Sequence, residues 1–498
     1  MHCGTVFACH NGIATMADKF PILLWFRRDL RLSDHRALTA AMETGHPIVP
    51  LYIYSEDEKR ATGSASKWWL HHSLKQLEAS IRSLGGKLIL RTGEPADVLQ
   101  SVCKETNARC IHVSTCFDPF WQGIDQSVAK TLQPQGIEFK WFSGQLMWDP
   151  RSIRNKSGKP FQVFTPFWKH LCQHNPPEPP MASPKTWPKQ SSAKLKSEHL
   201  GSLQLLPSIR WDKGIQKEWR PGENEAMAQL DRFANNAFSD YDIARDFPGT
   251  QGTSRLSPYL HFGEITPGQI YHRLETKRRR SRTTQSSAMH STYMKEVGWR
   301  EFAHHLLHHF PHMTKGPLRP EFESFPWRHD ATMLQAWQKG RTGYPIVDAG
   351  MRELWTTGWM HNRVRMIVGS FLVKHLLLDW KLGAEWFWDT LVDADLANNT
   401  MGWQWIAGCG ADAAPYFRIF NPIMQSQKFD AQGDYIRKWI PEISKLSNKD
   451  IHTPWTADSM ILQMADIELG KTYPWPIVNH TIARETALDA YHRMKAKN

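Results

Sequence analysis

The sequence predicts an α/β N-terminal domain with a parallel, doubly wound, Rossmann-like sheet, followed by an all-α C-terminal domain. Strand-like runs alternate with helical segments from Pro21 to about residue 150. A stretch rich in Pro, Ser and Lys, residues 174–200, then predicts an extended linker. Beyond about residue 224 the strand signals stop, and apolar residues recur with a period of about 3.6 residues, which is typical of helices.

Five short apolar runs predict the strands of the first domain, residues 20–150. Helical segments separate them, such as SASKWWLHHSLKQLEASIRSLGG, which ends at Gly85 and Gly86. Strands that alternate with helices predict a parallel sheet with right-handed crossovers. In chain order the strands are ILLWF (22–26), IVPLYIY (48–54), KLIL (87–90), CIHV (110–113) and IEFKWF (137–142).

The remaining boundaries follow from composition and periodicity. Residues 1–19 lack a basic region followed by an apolar one, so we predict a disordered tail instead of a secretory signal. Met16 is an alternative translation start. Residues 151–223 are predicted to link the domains, and residues 224–498 to form the helical domain.

The composition indicates a soluble intracellular protein. Apolar residues make up 41% of the chain, which fits a globular domain. The longest apolar segment, IVGSFLVKHLLL, contains Lys374 and His375 and is shorter than the ~20 residues a membrane helix needs. We therefore predict a buried helix there and no membrane association. The seven cysteines show no CxxC spacing, which indicates reduced thiols in the cytoplasm.

Charge and tryptophan content suggest a specialised function. The net charge of +12 suits a polyanionic partner, either nucleic acid or a membrane surface. The 23 tryptophans exceed what packing alone would explain, because tryptophan usually serves cores and interfaces. The basic run KRRRSR (277–282) predicts an exposed loop, either solvated or in contact with DNA.

Two segments combine turn residues with the start of a helix. In GTSRLSPYLHFGEI, the side chains of Thr253, Ser254 and Ser257 fit either a phosphate-binding helix start or an ordinary N-cap. In RRDLRLSDHRALTAA, a basic turn after the first strand fits either a small-anion site or a surface turn capped by Ser33 or Asp34.

A second group of motifs lies in the helical half. In HNRVRM, Arg365 is a natural partner for Asp393 or Asp395, because a buried carboxylate needs a compensating cation. In KEVGWREF, Glu296 and Trp299 share one helix face, where they fit either a surface pair or a base-binding cleft.

The segment HHLLHHFPH carries histidine pairs at i,i+4, such as His304 with His308 and His305 with His309. This spacing is known from metal ligands. The segment lacks an HExxH motif and a nearby cysteine, so we predict a polar helix face and no metal site.

Taken together, these motifs resemble those of the photolyase/cryptochrome family. The resemblance covers about residues 20–480 and implies an N-terminal photolyase domain and a helical domain that holds FAD in a folded, U-shaped conformation. It is carried by WFRRDLRLSDHRAL, GTSRLSPYLHFGEI, WREF, GYPIVDAGMRELWTTGWMHNRVRM and DADLANNTMGWQWIAGCGADAAPYFRIFNP.

By position, the resemblance implies the residues of the FAD site. Arg365 and Asp393 match an ion pair beside the flavin ring, and Asp395 matches a residue at the ring's polar edge. The other residues carried over, most of them from the wall around the diphosphate and ribityl chain, are Tyr241, Arg245, Thr253, Ser254, Leu256, Ser257 and Arg300.

Asn399 matches the position that faces flavin N5, where plant cryptochromes resembling this sequence carry an aspartate. A neutral amide can accept the N5–H bond of a reduced flavin without adding a second negative charge beside an anionic ring. The resemblance therefore implies that Asn399 favours the fully reduced FADH⁻ of a repair enzyme over the cycle of a signalling receptor.

Five further residues match positions that contact the substrate. The (6-4) photolyases carry histidines at the positions of Asn362 and Met366, and DASH-type cryptochromes carry glutamine at the second position. The Asn and Met pair matches enzymes for cyclobutane pyrimidine dimers. Glu296 and Trp299 match residues that hydrogen-bond and flank the dimer, and Trp405 matches the second aromatic wall.

The activity implied is that of a deoxyribodipyrimidine photo-lyase: excited FADH⁻ donates an electron to a flipped-out pyrimidine dimer in DNA, the cyclobutane ring opens, and the electron returns. Trp403, Trp380 and Trp327 match the family's relay from flavin to surface, so photoreduction of oxidised FAD is expected. The expected partner is UV-damaged DNA, bound by a monomer in the bacterial cytoplasm in association with the nucleoid.

The alternative is a cryptochrome-type blue-light photoreceptor that signals through a partner. The chain stops at residue 498, shortly after ALDAYHRMKAKN, which favours the enzyme.

One departure from the family pattern concerns the antenna chromophore. Members with a folate antenna carry an Asn-Glu pair where this chain has Gln122 and Gly123, although Lys315 matches a folate-contacting lysine. Three alternatives stay open: methenyltetrahydrofolate held by other contacts, a deazaflavin or flavin, or no antenna.

Overall fold

The five predicted strands are present and form one parallel sheet in the order β3-β2-β1-β4-β5. The order reverses between β1 and β4, which is the switch point of a doubly wound sheet. The third strand begins two residues later than predicted. The strands are β1 (Ile22–Phe26), β2 (Ile48–Tyr54), β3 (Ile89–Thr92), β4 (Cys110–Ser114) and β5 (Glu138–Phe142).

This computed structural model describes residues 20–55, 61–188, 195–280, 287–413 and 417–497. The predicted tail, residues 1–19, lies outside the described residues, as does the end of the basic run KRRRSR. The described part of that run ends a helix, where Arg278 and Arg279 both pair with Glu275.

The sheet is covered on both faces because its central strands are apolar throughout. In β1, Ile22, Leu24 and Phe26 belong to one buried cluster, while Leu23 and Trp25 belong to another. Successive side chains of a strand point to opposite faces, so one strand contributes to two layers. The first of these clusters continues without a break into the helical part of the molecule.

Four helices belong to the sheet domain: α1 (Arg36–Glu43), α2 (Ser64–Ser83), α3 (Pro95–Thr106) and α4 (Pro119–Leu132). The remainder is rich in helices, as predicted. Its α-helices are α5 (Phe164–Leu171), α6 (Lys213–Glu218), α7 (Glu223–Asn236), α8 (Tyr241–Ala244), α9 (Ser257–His261), α10 (Pro267–Arg280), α11 (Thr292–His309), α12 (Ala331–Gln338), α13 (Pro345–Thr357), α14 (Asn362–Ser370), α15 (Trp380–Thr390), α16 (Leu396–Ala407), α17 (Pro422–Phe429), α18 (Asp434–Trp439), α19 (Ser459–Met464) and α20 (His480–Lys497).

The predicted buried helix after residue 362 is divided in two. α14 passes into a π-helical turn, Phe371–His375, before α15 begins. Lys374 and His375 are both buried, and the Lys374 ammonium donates to Ala407 O at 2.7 Å. No helix in the described ranges is both long and apolar enough to cross a membrane.

The segment 151–223, predicted to link the domains, packs against both of them. Phe164 and Trp168 of α5 are buried, and the indole of Trp187 donates to Ile48 O of β2 at 3.2 Å. Its described residues between 174 and 199 contain no helix or strand. The segment is therefore anchored by buried aromatic side chains, while most of residues 174–186 are exposed; the division into domains stays a prediction.

The basic turn after β1 is buried between the two parts of the molecule, so the prediction of a surface turn is wrong. The side chain that caps α1 is His35, and neither Ser33 nor Asp34 does so. Arg27 donates to Asp125 at 2.6 Å, and Arg31 donates to Gly263 O at 2.8 Å. The arginines of the turn bind acceptors of the protein itself, which leaves the small-anion alternative without support.

The histidine-rich segment is also more buried than predicted. His304 and His305 of α11 are 2% and 1% exposed, so they do not form a polar surface. The His305 imidazole accepts from Phe161 N at 3.0 Å. Across the described ranges no three His, Cys, Asp or Glu side chains are grouped as metal ligands.

We expect Gly298→Ala to lower the free energy of unfolding by about 1–3 kcal/mol, because overpacking in a core has that cost. A Cβ at Gly298 of α11 would lie 2.4 Å from Trp168 Cε3 of α5. Chemical denaturation followed by circular dichroism measures the change.

The matched control is Gly123→Ala in α4, where an added Cβ has no atom within 4 Å. Alanine is expected to stabilise that helix by roughly 0.5–1 kcal/mol. Equal unfolding midpoints for the two variants would contradict the packing of α5 against α11.

Candidate functional site

A cavity of about 580 Å³ opens among α8, α9, α11, α14 and α16. It brings together every predicted site residue except Trp380 and Trp327. The predicted residues that line it are Tyr241, Arg245, Thr253, Ser254, Leu256, Ser257, Glu296, Trp299, Arg300, Asn362, Arg365, Met366, Asp393, Asp395, Asn399, Trp403 and Trp405.

Asp393 is a buried carboxylate whose partners come from two other elements. Nη2 of Arg365, on α14, lies 3.1 and 2.9 Å from its two oxygens. The Ser257 hydroxyl, at the start of α9, donates to it at 2.6 Å. Arg365 also donates to Met360 O at 2.8 Å, which fixes the guanidinium. The predicted ion pair is therefore formed within the cavity wall, where the Arg365 guanidinium neutralises the Asp393 carboxylate.

Asp395 is the N-cap residue of α16, and its two carboxylate oxygens have different neighbours. Oδ1 accepts from the main-chain N–H of Asn398 at 2.9 Å and from its side-chain amide at 2.7 Å, which caps the helix. Oδ2 lies 3.5 Å from His304 Nε2 and 3.9 Å from His261 Nδ1. Burial alone would raise the pKa of Asp395, but His304, His261 and Arg300 together hold it well below its ordinary value.

Asn399 follows in the first turn of α16 with its amide fixed by one contact. Its Nδ2–H donates to Ala384 O of α15 at 2.9 Å. That contact leaves the amide oxygen as the group that can accept a hydrogen bond inside the cavity. The neighbouring Asn398 is instead bound to Asp395, so the two asparagines have different tasks.

The walls on the α11 side carry Glu296 and Trp299. Glu296 pairs with Arg245 of the α8 corner at 2.6 Å. The Trp299 ring stacks on Phe164 of α5, with centroids 3.8 Å apart and planes at 11°. The segment between the sheet and the helical domain thus supports one wall of the cavity.

Asn362 and Met366 lie one turn apart on α14, and Trp405 lies on α16. All three line the same cavity as Glu296 and Trp299, so the two walls face a shared space. A polarizable apolar side chain, an amide, a carboxylate and two indoles suit a flat, partly polar ligand.

The hydroxyl-rich segment before α9 does not act as a simple N-cap. Leu256 holds the cap position and makes no side-chain cap bond. Ser254 Oγ accepts from Leu256 N at 3.3 Å and from the Tyr293 hydroxyl at 2.9 Å. Tyr241 packs edge-on against Tyr293 at 5.1 Å. The cap alternative is therefore wrong, and the phosphate alternative stays a prediction.

Arg300 joins this wall to the sheet domain. Its guanidinium donates to Gln145 O at 3.2 Å and to Leu260 O at 3.5 Å.

The three relay tryptophans share one apolar cluster. Trp403 lines the cavity and packs edge-on against Phe387 at 5.0 Å and Trp337 at 6.2 Å. Trp403 and Trp380 are 2% and 4% exposed, whereas Trp327 packs on the outside of the cluster and is only partly buried. This gradient from cavity to surface agrees with a relay, which stays a prediction.

Several lining residues were not singled out from the sequence: His261, Tyr293, Trp359, Arg363 and Asn398. Asn398 had a signal, because it lies three residues after Asp395, the spacing of an N-cap to the residue it binds. The other four had none, since their places depend on long-range packing.

The predicted antenna positions, Gln122, Gly123 and Lys315, are not part of the cavity lining. The Gln122 amide contacts His308 Nδ1 at 3.1 Å, so this side chain is already engaged. Lys315 follows the 3-10 turn Pro311–Thr314. These contacts do not select among the three antenna alternatives.

Two family models match the chain: one described as the FAD binding domain of DNA photolyase, over residues 293–493, and one described as DNA photolyase, over residues 22–185. A deoxyribodipyrimidine photo-lyase of Agrobacterium fabrum is 47% identical over 95% of this chain and 98% of its own length. Cryptochrome-1 of Arabidopsis thaliana is 37% identical over 99% of this chain and 72% of its own length.

The solved structures include a bacterial class III photolyase from Agrobacterium tumefaciens. Its TM-score is 0.93 at 46% identity, over 98% of this chain and 100% of that chain. A cryptochrome from Synechocystis has a TM-score of 0.86 at 31% identity, over 95% of this chain and 100% of that chain.

The residues of the cavity fit FAD. Arg365 and Asp393 supply a neutral ion pair, and Asp395 supplies an acceptor for a polar ring edge. The Asn399 amide, whose N–H is directed to Ala384 O, leaves its oxygen as a further acceptor in the same lining. The helical domain is an FAD-binding domain, and the chain belongs to the photolyase/cryptochrome family.

Proposed function

We propose that this protein is a deoxyribodipyrimidine photo-lyase that repairs cyclobutane pyrimidine dimers in DNA under light. The observation that carries the proposal is that Asn362, Met366 and Asn399 line one cavity with Glu296 and two indole walls. When bound, FADH⁻ supplies the electron that opens the cyclobutane ring. The chain's own residues bind and orient the lesion and keep the cofactor reduced.

Binding of a flipped-out dimer requires walls that do not move. Trp299 is held by its stack on Phe164, and Trp405 lies on a helix whose start is capped by Asp395. Flipping costs a few kcal/mol and is cheapest at a damaged, poorly stacked step, which contributes selectivity. Met366 offers the bases an apolar contact, and Glu296 offers a hydrogen-bond acceptor.

The lesion itself requires no proton transfer between its bases for the ring to open. A cyclobutane dimer splits after accepting one electron, whereas transfer of a hydroxyl group would call for a general acid such as histidine. Asn362 and Met366 have no acidic proton near neutral pH. The chemistry of this pair therefore favours the cyclobutane substrate.

The DNA backbone is the natural partner of the excess positive charge. The chain carries 61 Lys and Arg against 49 Asp and Glu. Phosphate contacts by such residues release counterions, so affinity is expected to fall steeply with salt. Arg363 lines the cavity and pairs with Asp246 at 2.6 Å.

A cryptochrome-type photoreceptor is the second candidate, favoured by the 37% identity to Cryptochrome-1 of Arabidopsis thaliana. A receptor needs flavin photochemistry and a partner but no repair. An assay of lesion repair therefore separates the two candidates.

We expect the protein with pre-reduced flavin to restore a thymine-dimer oligonucleotide under near-UV light and to leave it unchanged in the dark. Chromatography of the products measures repair.

Glu296→Ala is expected to weaken dimer binding roughly tenfold, because it removes a hydrogen bond worth about 1–2 kcal/mol. Glu225→Ala, which removes the surface pair with Arg232, is the control and is expected to change nothing. Absence of repair with FADH⁻ present would rule out the enzyme and leave the receptor.

We expect Trp403→Phe to slow photoreduction of oxidised flavin by at least ~tenfold and to leave repair by the pre-reduced protein largely intact. The reason is that an indole at the cavity wall is a far better electron donor than a phenyl ring. Flash spectroscopy and the repair assay measure the two rates. Trp337→Phe, at the indole packed edge-on against Trp403, controls for loss of packing alone. Equal loss of both rates in Trp403→Phe would contradict the relay.

We expect Asn399→Asp to shorten the lifetime of FADH⁻ in air. A carboxylate adds negative charge beside an anionic ring, whereas the amide does not. Absorbance during reoxidation measures the lifetime, and Asn235→Asp, at an exposed residue of α7 beside Lys277 and outside the cavity, is the control. An unchanged lifetime would count against the role of Asn399.

We expect Arg365→Met to lower flavin content severalfold, because it leaves the Asp393 carboxylate buried with a hydroxyl as its remaining partner. The ratio of flavin to protein absorbance after purification measures the effect. The control is Arg352→Met, which removes a pair with Glu442 at 2.7 Å outside the cavity. Full flavin content in Arg365→Met would show that the ion pair is dispensable.

A further inference from the structure

The loop after β1 brings a charge from the sheet domain to the FAD cavity. Arg28 lies in this loop, and its Nη1 is 3.7 Å from Asp395 Oδ2. The side chains are 18% and 7% exposed, so water screens the contact only in part.

The position of Arg28 is fixed by its main chain. Leu30 N donates to Phe262 O at 3.2 Å, and Arg31 donates to Gly263 O at 2.8 Å. Gly263 has a φ of +66°, and a Cβ there would lie 2.0 Å from Arg28 O. Only glycine allows the two segments to approach this closely. The main chain that carries the Arg28 guanidinium is therefore held in place by the segment around Gly263.

The histidines around Asp395 cannot balance its charge near neutral pH. Burial lowers the pKa of His304 to about 4 and also lowers the pKa of His261. Both imidazoles are therefore neutral at pH 7. They can offer hydrogen bonds to the carboxylate but no positive charge.

The other nearby arginine, Arg300, also helps to lower the pKa of Asp395, but its hydrogen bonds go to other groups. Arg300 donates to two main-chain oxygens and lies 3.6 Å from Glu301. The second carboxylate of the cavity, Asp393, has its own partner in Arg365. Among the Lys and Arg residues of the described ranges, only Arg28 has a side-chain nitrogen within 4 Å of an Asp395 oxygen.

We propose that Arg28 is the counter-charge of Asp395, and that the sheet domain thereby sets how strongly the cavity favours reduced, anionic flavin over oxidised, neutral flavin. Arg28 is a positioning residue, because it acts through Asp395. The inference depends on flavin binding and on the predicted place of Asp395 at the ring edge. It is independent of the DNA substrate.

The expected direction follows from Coulomb's law. Without Arg28, the Asp395 carboxylate stays ionised with less compensating charge near a ring that becomes negative on reduction. Repulsion then favours the oxidised cofactor. For charges several ångströms apart near a protein surface, the change in the ratio of oxidised to reduced flavin is roughly tenfold.

The test is an equilibrium redox titration of the full-length, FAD-loaded protein against indicator dyes, in the dark and without DNA. At the wild-type midpoint, Arg28→Gln is expected to shift the ratio of oxidised to reduced flavin roughly tenfold toward oxidised. Arg28→Lys keeps the charge and is expected to retain most of the wild-type ratio. Arg91→Gln, which removes a sheet-domain pair with Glu105 at 2.7 Å, is the control and is expected to match the wild type.

A wild-type ratio in Arg28→Gln, or equal shifts in Arg28→Gln and Arg28→Lys, would overturn the proposal. If Arg28→Gln purifies without flavin, Arg28→Lys decides, since it keeps the charge but loses the guanidinium. A flavin content and a redox ratio near those of the wild type in Arg28→Lys support the proposal, and loss of flavin in Arg28→Lys overturns it. The titration does not depend on repair, so a negative repair assay leaves its result standing.

Discussion

The site depends on burying two carboxylates, Asp393 and Asp395, in the short loop before α16. A buried carboxylate is stable when other groups compensate its charge and satisfy its oxygens. No single neighbouring element supplies these groups. Arg365 comes from α14, His304 from α11, and Arg28 from the sheet domain. The two acids thus require distant parts of the chain to converge on one cavity.

The same convergence joins the sheet to the helix-rich remainder of the molecule. The loop after β1 carries charge to the cavity, while α5 places Phe164 behind Trp299. One apolar cluster runs from a face of the sheet into the helical domain. The binding cavity is therefore shaped by residues on both sides of the domain boundary, although most of its lining comes from helices.

The parts of the fold that were predictable are those with local signals. Strands such as Ile48–Tyr54 were found because short apolar runs are bounded by turn residues. The loop from Arg27 to His35 was misjudged because its composition is that of a surface turn. Its burial depends on Phe262 and Gly263, more than two hundred residues away, and no local pattern reports such a contact.

The candidate site was predictable to a similar extent and for a similar reason. The pairing of Arg365 with Asp393 followed from the rule that buried charge needs a partner. His304, near Asp395, was assigned to a polar helix face because spacing within a helix does not show which face is covered. The grouping of the tryptophans came from family resemblance alone, since no spacing rule links Trp327 to Trp403.

The hydrogen bond from Asn399 to the main-chain carbonyl of Ala384 limits which side chains can replace this asparagine. The carbonyl needs a donor, and an ionised aspartate at position 399 would have none to offer. A protonated aspartate would have one, in the place where the amide N–H now lies. An ionised aspartate would therefore leave this carbonyl without a donor, in addition to placing a charge beside the flavin. The amide supplies the donor at every pH, whereas an aspartate supplies it only when protonated.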